Sequence, residues 1–321
     1  MCRLTAPDQN PPPQERIPLS NPRSNSVKAL GLATFAGFLV SLQSVLTKSV
    51  GRQLNSQAIL CGRSLVAAFA CALWLGYRRI PLATPLWRGQ LLRGAVGFGA
   101  ASAFFVALVR LPVAEATVLF YLYPILAALA AAAISGEPLS RGGLVGSLAS
   151  LAGVGILCRL PILVGTAAPG RDTVGLAAAL CAAVLFALDT VATRHIVQKD
   201  GPERSVFYLT AFISVGSSPA LFASSGWTPR TTAVVVLIGV LFCAQALCVA
   251  SALRIERTAP VAAAGYLQVV FVTLLGALSM GEWPDRWSLA GTALILLGSA
   301  PLVLARAPAA VAEPALREHK A

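Results

Sequence analysis

Charged residues are scarce in this sequence. Only 12% of its 321 residues are Asp, Glu, Lys or Arg, whereas about a quarter of the residues are charged in an ordinary soluble domain. Apolar residues make up 56% of the chain, and the mean hydropathy is +0.74. This composition excludes an ordinary soluble globular fold and indicates an integral membrane protein.

Residues that commonly carry catalysis are also few. The only histidines are His195 and His319, and the sequence has no His-Glu-x-x-His, Gly-x-Ser-x-Gly or Cys-x-x-Cys. A glycine-rich phosphate loop ending in Lys-Ser or Lys-Thr is missing too, which argues against ATP hydrolysis. The seven cysteines lie mostly in apolar runs, where they are predicted to be small buried residues. We therefore expect no metal, no cofactor and no enzymatic activity; a membrane-embedded enzyme or a receptor is the less favoured alternative.

The net charge of +12 does not predict nucleic-acid binding. The basic residues form short clusters between apolar runs, as in loops that face the cytoplasm. Residues 1–27 are polar and contain six prolines, so they are predicted to be a disordered cytoplasmic tail rather than a signal peptide. Residues 306–321 are predicted to be a cytoplasmic tail at the other end.

Long apolar runs dominate the remaining chain. A helix crosses a bilayer with about 20 apolar residues, and ten runs of roughly that length are present: 29–48, 57–77, 91–109, 114–134, 142–160, 174–193, 205–224, 231–252, 259–280 and 288–305. The sequence therefore predicts an all-α membrane protein with ten transmembrane helices.

The distribution of lysine and arginine predicts the orientation. With Arg63 assigned to the second helix and both termini on one side, that side holds 17 basic residues and the opposite side holds 7. Arg93 is counted among the loop residues of the richer side. Because cytoplasmic loops are enriched in Lys and Arg, both termini are predicted to be cytoplasmic.

The chain repeats itself. The fourth and ninth runs both end on Gly-Glu, at Gly136-Glu137 and Gly281-Glu282, which are 145 residues apart. Tyr121 and Tyr266 coincide at the same offset. The repeats are predicted at 28–160 and 174–305. Since each holds five crossings, an odd number, the second repeat must be inverted relative to the first.

The repeated Gly-Glu is predicted to have a structural role. A glycine suits the end of a helix, and a carboxylate after it would return the chain to water. For Gly136, Glu137, Gly281 and Glu282 we favour this role over substrate contact.

Polar side chains within the runs are the candidate substrate-binding residues. Gln43 and Asp189 occupy equivalent places in the first helix of each repeat, and Asp189 is the leading candidate for a group that takes up a proton or binds a cation. The alternative is an ion pair between Asp189 and Arg194 or His195. For Arg63 a structural charge within the bundle is favoured over contact with an anionic substrate.

A second set of candidates lies near the middle of the fourth, eighth and ninth helices. Tyr121, Tyr123, Tyr266 and Gln268 occupy equivalent levels in two of them, and tyrosine suits an aromatic or amphipathic ligand. For Gln245 in the eighth helix, a hydrogen bond between helices and a ligand contact remain equal alternatives.

These features resemble a known family. The ten-helix pattern, the duplication, the alanine-rich fourth helix ending in "GEP" and the "GEW" of the second copy are similar to the EamA branch of the drug/metabolite transporter superfamily. The resemblance implies a bacterial inner-membrane secondary transporter that works by alternating access. It further implies export of a small metabolite, such as an amino-acid-like compound or a metallophore, and we expect proton coupling. Import of a vitamin or cofactor such as riboflavin is the alternative. The expected partners are a small-molecule substrate and membrane lipids, without nucleic acid; the oligomeric state stays open.

Overall fold

The computed structural model describes residues 22–51, 53–111, 113–137, 141–157, 172–280 and 286–304. Every regular element in these ranges is an α-helix, and the all-α prediction is confirmed. The helices are α1 (Pro22–Val50), α2 (Ser56–Tyr77), α3 (Trp87–Arg110), α4 (Val113–Phe120), α5 (Tyr123–Ser135), α6 (Arg141–Leu157), α7 (Thr173–Asp200), α8 (Pro202–Phe222), α9 (Pro229–Ile255), α10 (Thr258–Ala264), α11 (Leu267–Met280) and α12 (Arg286–Leu304).

The twelve described helices form ten membrane crossings. Seven stretches are long and apolar enough to span a bilayer: Asn25–Val50, Ser56–Tyr77, Trp87–Ala107, Thr173–Asp200, Pro202–Phe222, Pro229–Ile255 and Thr258–Ser279. Shorter apolar helices at Tyr123–Ser135, Arg141–Ile156 and Leu289–Gly298 belong to the remaining three crossings. The ten-helix prediction is therefore confirmed. The fourth and ninth crossings are each divided into two helices, α4–α5 and α10–α11.

Helix ends follow local sequence signals. α7 begins after Asp172, whose carboxylate accepts the N–H of Gly175 at 3.0 Å. This hydrogen bond, aided by Arg110, holds the pKa of Asp172 below its ordinary value. α5 ends at Gly136, whose φ of 64° lies in the left-handed region that favours glycine. The break after α5 thus uses the glycine of the first Gly-Glu.

The two repeats pack through equivalent helix pairs. α1 packs against α9 and α11, and its counterpart α7 packs against α3 and α5. The pairs α2–α8 and α6–α12 each join a helix to its own counterpart. This pairing of equivalent helices is the packing expected of inverted repeats that are related by a two-fold axis in the membrane plane.

Small residues allow α3 to lie close to its neighbours. A Cβ atom on Gly94 would lie 2.8 Å from the side chain of Phe212, and one on Gly97 would lie 2.7 Å from Leu209. The same Gly97 Cβ would be 3.4 Å from Oδ1 of Asp189. Glycine therefore brings α3 against α8 and α7, and positions the polar groups described below.

The two ends of the bundle differ. Where α7 and α9 finish, these two helices pack together, and α10 packs against α5. In the described part of the chain, the equivalent pairs α1–α3 and α4–α11 make no comparable contact at the opposite end. The first end also holds a buried apolar cluster that includes Ala33, Val197, Val206, Leu253 and Val261. We call it the latched end, because the helices of the two repeats close there.

Candidate functional site

Each repeat contains one interrupted helix, and the two interruptions are equivalent. Tyr121 and Leu122 separate α4 from α5, and Gly265 and Tyr266 separate α10 from α11. Interrupted membrane helices expose backbone groups at mid-membrane, which is where transporters of inverted-repeat design bind substrates and ions. The interruptions therefore mark the centre of the candidate site.

Different residues produce the two interruptions. In the first repeat Pro124 is the second residue of α5, and it has no N–H for the carbonyl four residues earlier. In the second repeat the N–H of Gly265 bonds the carbonyl of Ala262 at 3.0 Å, which is a tighter turn than that of an α-helix. A Cβ on Gly265 would overlap the hydroxyl of Tyr123. Proline in one copy and glycine in the other thus interrupt the helix at equivalent positions.

Two of the predicted tyrosines meet at the interruptions. The hydroxyl of Tyr266 donates a hydrogen bond to the backbone carbonyl of Tyr121 at 3.1 Å. Their rings are stacked with centroids 5.9 Å apart, and both side chains are buried. The sequence repeat places these residues as neighbours, and the structure does so too. A role in substrate binding stays a prediction.

Aromatic side chains from four helices surround the same point. The ring of Tyr123 meets Phe186 of α7 edge-on at 4.8 Å and Phe120 of α4 at 5.4 Å. Phe104 of α3 lies 4.5 Å from Phe120. Since aromatic faces and edges suit flat or amphipathic molecules, this cluster can form the apolar wall of a binding site.

The three predicted glutamines have different surroundings. Gln43 is buried, and its amide donates to the carbonyl of Leu39 in its own helix at 3.3 Å. The backbone carbonyl of Gln268 accepts a hydrogen bond from Ser41 at 3.0 Å, which joins α1 to the interrupted ninth crossing. Gln245 in α9 is half-buried, and its amide has no hydrogen bond among the described residues. No contact between Gln43 and Asp189 is seen in the described structure.

The ion-pair partner of Asp189 differs from the predicted alternative. Nε of Arg93 in α3 lies 3.1 Å from Oδ1 of Asp189, and both side chains are at most 10% exposed. Nη1 of Arg93 also donates to the hydroxyl and the carbonyl of Ser205, each at 2.7 Å. Pairing of Asp189 with Arg194 or His195 is therefore wrong. So is the assignment of Arg93 to a loop, because it lies inside α3.

Arg194 instead pairs with the carboxylate of the first Gly-Glu. Its Nε lies 2.6 Å from Oε1 of Glu137, and its Nη1 donates to the carbonyl of Leu253 at 2.9 Å. Glu137 also accepts the backbone N–H of Thr258 at 3.0 Å and the Thr258 hydroxyl at 3.2 Å. The carboxylate thus caps the start of α10 and, through Arg194, links α5 to α7 and α9 at the latched end.

This arrangement differs from the expectation that Glu137 returns the chain to water. Its side chain is only 12% exposed, because a cation and two donors surround the carboxylate and replace its water shell. His195, the next residue after Arg194, shares a hydrogen bond of 2.8 Å with Ser135. Gly281 and Glu282 lie outside the described residues.

Arg63 lies inside the bundle, and among the described residues no acid pairs with it. Its guanidinium carbon is 4.4 Å from the centre of the Phe242 ring in α9. Its Nε is buried without a hydrogen bond. The described residues therefore show no charged partner for the favoured structural role of Arg63.

Other features of the described chain lie away from this centre. An apolar groove of about 550 Å³ runs along α1 and meets α11, lined by Val27, Leu30, Thr34, Phe35 and Phe271. Among the described cysteines, Cys61, Cys71 and Cys243 are buried, whereas Cys248 is half-buried and Cys181 is exposed. The described residues contain no cluster of three or more His, Cys, Asp and Glu side chains suited to a metal ion.

Sequence reasoning missed Arg93 because it lies near the predicted start of the third run. A signal was present in "RGAVG", where an arginine is followed by glycines one and four residues later. Those glycines allow α3 to approach α7 and α8 closely, so the side chain of Arg93 lies buried between the three helices. Thr258 and Ser205 gave no comparable signal, because their roles depend on a distant partner.

The hydroxyls of Tyr266 and Tyr123 are expected to have separable roles. Tyr266→Phe removes the bond to Tyr121, so we expect a loss of about 1 kcal/mol in stability, seen as a lower thermal midpoint. The Tyr123 hydroxyl has no hydrogen bond among the described residues. Tyr123→Phe is therefore expected to leave the midpoint unchanged and to raise the apparent KM of transport about fivefold. Equal midpoints for both variants would contradict the structural role of Tyr266.

Comparisons with known proteins cover most of the chain. The EamA-like transporter family matches residues 27–159 and again 173–304. The pseudopaline exporter CntI of Pseudomonas aeruginosa is 25% identical over 268 residues, which cover 83% of this chain and 92% of that protein. Human solute carrier family 35 member G1 is 23% identical over 81% of this chain and 74% of its own length. A solved crystal structure with 22% identity has the same fold, with a TM-score of 0.74 over 86% of this chain and 97% of its own.

Proposed function

Because this chain belongs to the EamA-like transporter family, we propose that it is a secondary transporter that exports a small metabolite. The family establishes a multi-pass membrane protein that handles small molecules. The direction, the substrate and the energy source are our proposal. The name of the bacterial relative, a pseudopaline exporter, supports export and makes a metallophore one candidate substrate.

The observation that carries the proposal is the meeting of the two interrupted helices. Tyr121 and Tyr266 lie at equivalent places in inverted repeats and touch each other. A site on the axis between the repeats is accessible from either side when the repeats rock against each other. The aromatic wall of Tyr123, Phe120 and Phe186 then contacts the apolar part of a substrate.

The latched end acts as the gate that closes the central site to one side of the membrane during alternating access. We assign it to the cytoplasmic side of a bacterial inner membrane, because the basic residues of the sequence concentrate on that side. The described state is then closed towards the cytoplasm. Reporter fusions in the 78–88 loop are expected to read as cytoplasmic, and fusions in the 169–172 loop as external; the reverse result would invert the assignment.

Asp189 and Arg93 are the proposed coupling pair. A buried carboxylate that holds a buried guanidinium changes its charge when a proton arrives, and the arginine must then find another acceptor. Arg93 also holds Ser205 at the start of α8. Protonation of Asp189 would thereby loosen α3 from α7 while α3 stays bound to α8, which couples a proton to helix movement.

Two measurements test the function. Deleting the gene is expected to raise the cellular level of one small compound and to lower its level in the medium. In inverted vesicles that contain the protein, uptake of that compound is expected to require a proton gradient and to stop when an uncoupler is added. Uptake in the opposite sense would support an importer of a vitamin or cofactor, and unchanged uptake with the uncoupler would support facilitated diffusion.

A further inference from the structure

Arg63 differs from the other arginines that lie within the bundle. Three of those have carboxylate partners: Arg93 with Asp189, Arg194 with Glu137, and Arg204 with Asp200. Arg63 makes no ion pair and no hydrogen bond through its guanidinium in the described part of the chain. Nε is fully enclosed, whereas the terminal nitrogens keep some accessible surface. The protein thus holds one internal cation whose charge its described residues do not balance.

The position of this cation is near the middle of the membrane. Arg63 is the eighth residue of α2, but its guanidinium lies over the ring of Phe242. Phe242 is the central residue of the 27-residue helix α9, so it lies about 20 Å from either helix end at 1.5 Å per residue. The side chain therefore does not reach a membrane surface. At this depth a guanidinium facing lipid is strongly unfavourable, so we expect the accessible nitrogens to face the bundle interior or a water-filled cavity.

A second polar group without a hydrogen bond among the described residues lies on α9, one turn from the ring that Arg63 covers. Gln245 is one helical turn from Phe242 on α9, so the two side chains lie on neighbouring faces of that helix. The Gln245 amide also has no hydrogen bond among the described residues. Polar groups inside a bundle are normally hydrogen-bonded. The buried Nε of Arg63 and the half-buried amide of Gln245 have no partner among the described residues, and Gln245 is one turn from the ring that Arg63 covers, which together point to a ligand.

From these observations we infer that Arg63 and Gln245 form an anion-binding subsite, and that the transported molecule carries a carboxylate or a similar oxyanion. The planar guanidinium can bind two oxygens of one anion, and the Gln245 amide can donate a further hydrogen bond. The guanidinium stacks on the ring of Phe242. The inference rests on the proposed export function and adds a chemical class to its substrate. The anion supplies the missing charge, so Arg63 is balanced when the substrate is bound.

Thermal stability gives a test that needs no substrate. An unbalanced charge destabilises the empty protein, so Arg63→Met is expected to raise the unfolding midpoint of the purified full-length protein by several degrees. Arg93→Met is the matched control: it leaves Asp189 buried and unpaired, and its midpoint is expected to fall. A fall for Arg63→Met as well would show that Arg63 is a structural charge and would overturn the inference.

Labelling with phenylglyoxal, an arginine reagent, tests the cavity. Arg63 is expected to be modified in intact membranes, as detected by mass spectrometry, with the exposed Arg254 as a reference for full labelling. No modification of Arg63 where Arg254 reacts completely would exclude an aqueous cavity at this depth.

Export gives the test of chemical class. The compound whose secretion depends on the gene is expected to be an anion at neutral pH. Arg63→Gln is expected to lower its export at least about tenfold, Arg63→Lys less, and Arg254→Gln not at all. A neutral compound, or full export by Arg63→Gln, would overturn the anion subsite. If no compound depends on the gene, the export proposal fails, and the stability and labelling results still decide the subsite.

Discussion

Asp189→Asn is expected to abolish substrate accumulation driven by a proton gradient. Exchange of internal for external substrate in preloaded vesicles is expected to continue. Asparagine keeps the size of the side chain and an oxygen that accepts from Arg93, but it cannot take up or release a proton. The 3.1 Å contact therefore survives as a hydrogen bond from the cationic Arg93 to a neutral oxygen. Since the guanidinium loses its balancing charge, the unfolding midpoint is expected to fall as well. Accumulation is measured as substrate uptake into inverted vesicles with and without a pH gradient.

A matched acid in the same helix provides the control. Asp200 accepts a hydrogen bond from Gln90 at 2.7 Å and pairs with Arg204 at 2.8 Å. Since our mechanism gives it no proton to transfer, Asp200→Asn is expected to lower stability and to retain gradient-driven uptake. Normal accumulation by a folded Asp189→Asn protein, together with misfolding of Arg93→Gln, would make the Asp189–Arg93 pair structural only.

Breaking the contact between Glu137 and Arg194 is expected to open the latched end. Glu137→Gln removes the charge that holds Arg194 at 2.6 Å and weakens the cap on Thr258. Hydrogen bonds to charged groups contribute about 1.5–3 kcal/mol, which corresponds to roughly 10- to 100-fold in the closed-to-open ratio. A cysteine introduced at the buried Val261 reports this opening through its rate of reaction with a membrane-impermeant maleimide added from the cytoplasmic side.

The exposed ion pair at the opposite end is the matched control. Arg110 and Asp172 lie 3.2 Å apart with side chains 47% and 35% exposed, and exposed pairs contribute little. Asp172→Asn also keeps the N-cap of α7, since asparagine is as good a cap as aspartate. It is expected to leave the labelling rate at Val261 unchanged. Equal rates for Glu137→Gln and the unmodified protein would show that the apolar cluster alone closes this end.

The sequence predicted the features that follow from the lipid environment and from the internal repeat, namely the number of crossings and the equivalent residues. Apolar run length gave the ten crossings because a helix in lipid must satisfy its own backbone and cover the hydrocarbon thickness. The 145-residue offset identified Tyr121 and Tyr266 as equivalent residues, and equivalent residues that lie near the two-fold axis meet there. It did not show that both crossings are interrupted there, because Pro124 has no proline counterpart in the second copy.

The partners of buried charges could not be predicted in the same way. The sequence alone marks Asp189 as unusual by its depth, but it places the partner Arg93, 96 residues away, in a loop. Glu137 looked like a boundary residue until the fold brought Thr258, 121 residues later, against it. In both cases the pairing depends on helix rotation and on close approach at glycines, which no local pattern encodes.

The sequence by itself determined the solvent, the number of crossings, the duplication and the family of this protein, because each follows from composition or from comparison along the chain. Only the tertiary structure decided that Arg93 pairs with Asp189 and Arg194 with Glu137, and that the bundle is closed at one end. It also showed that Arg63 has no ion-pair partner among the described residues. The physical reason is that charges in a low-dielectric interior are governed by contacts within a few ångströms. Such contacts join helices that are distant in sequence, so they exist only once the repeats have packed.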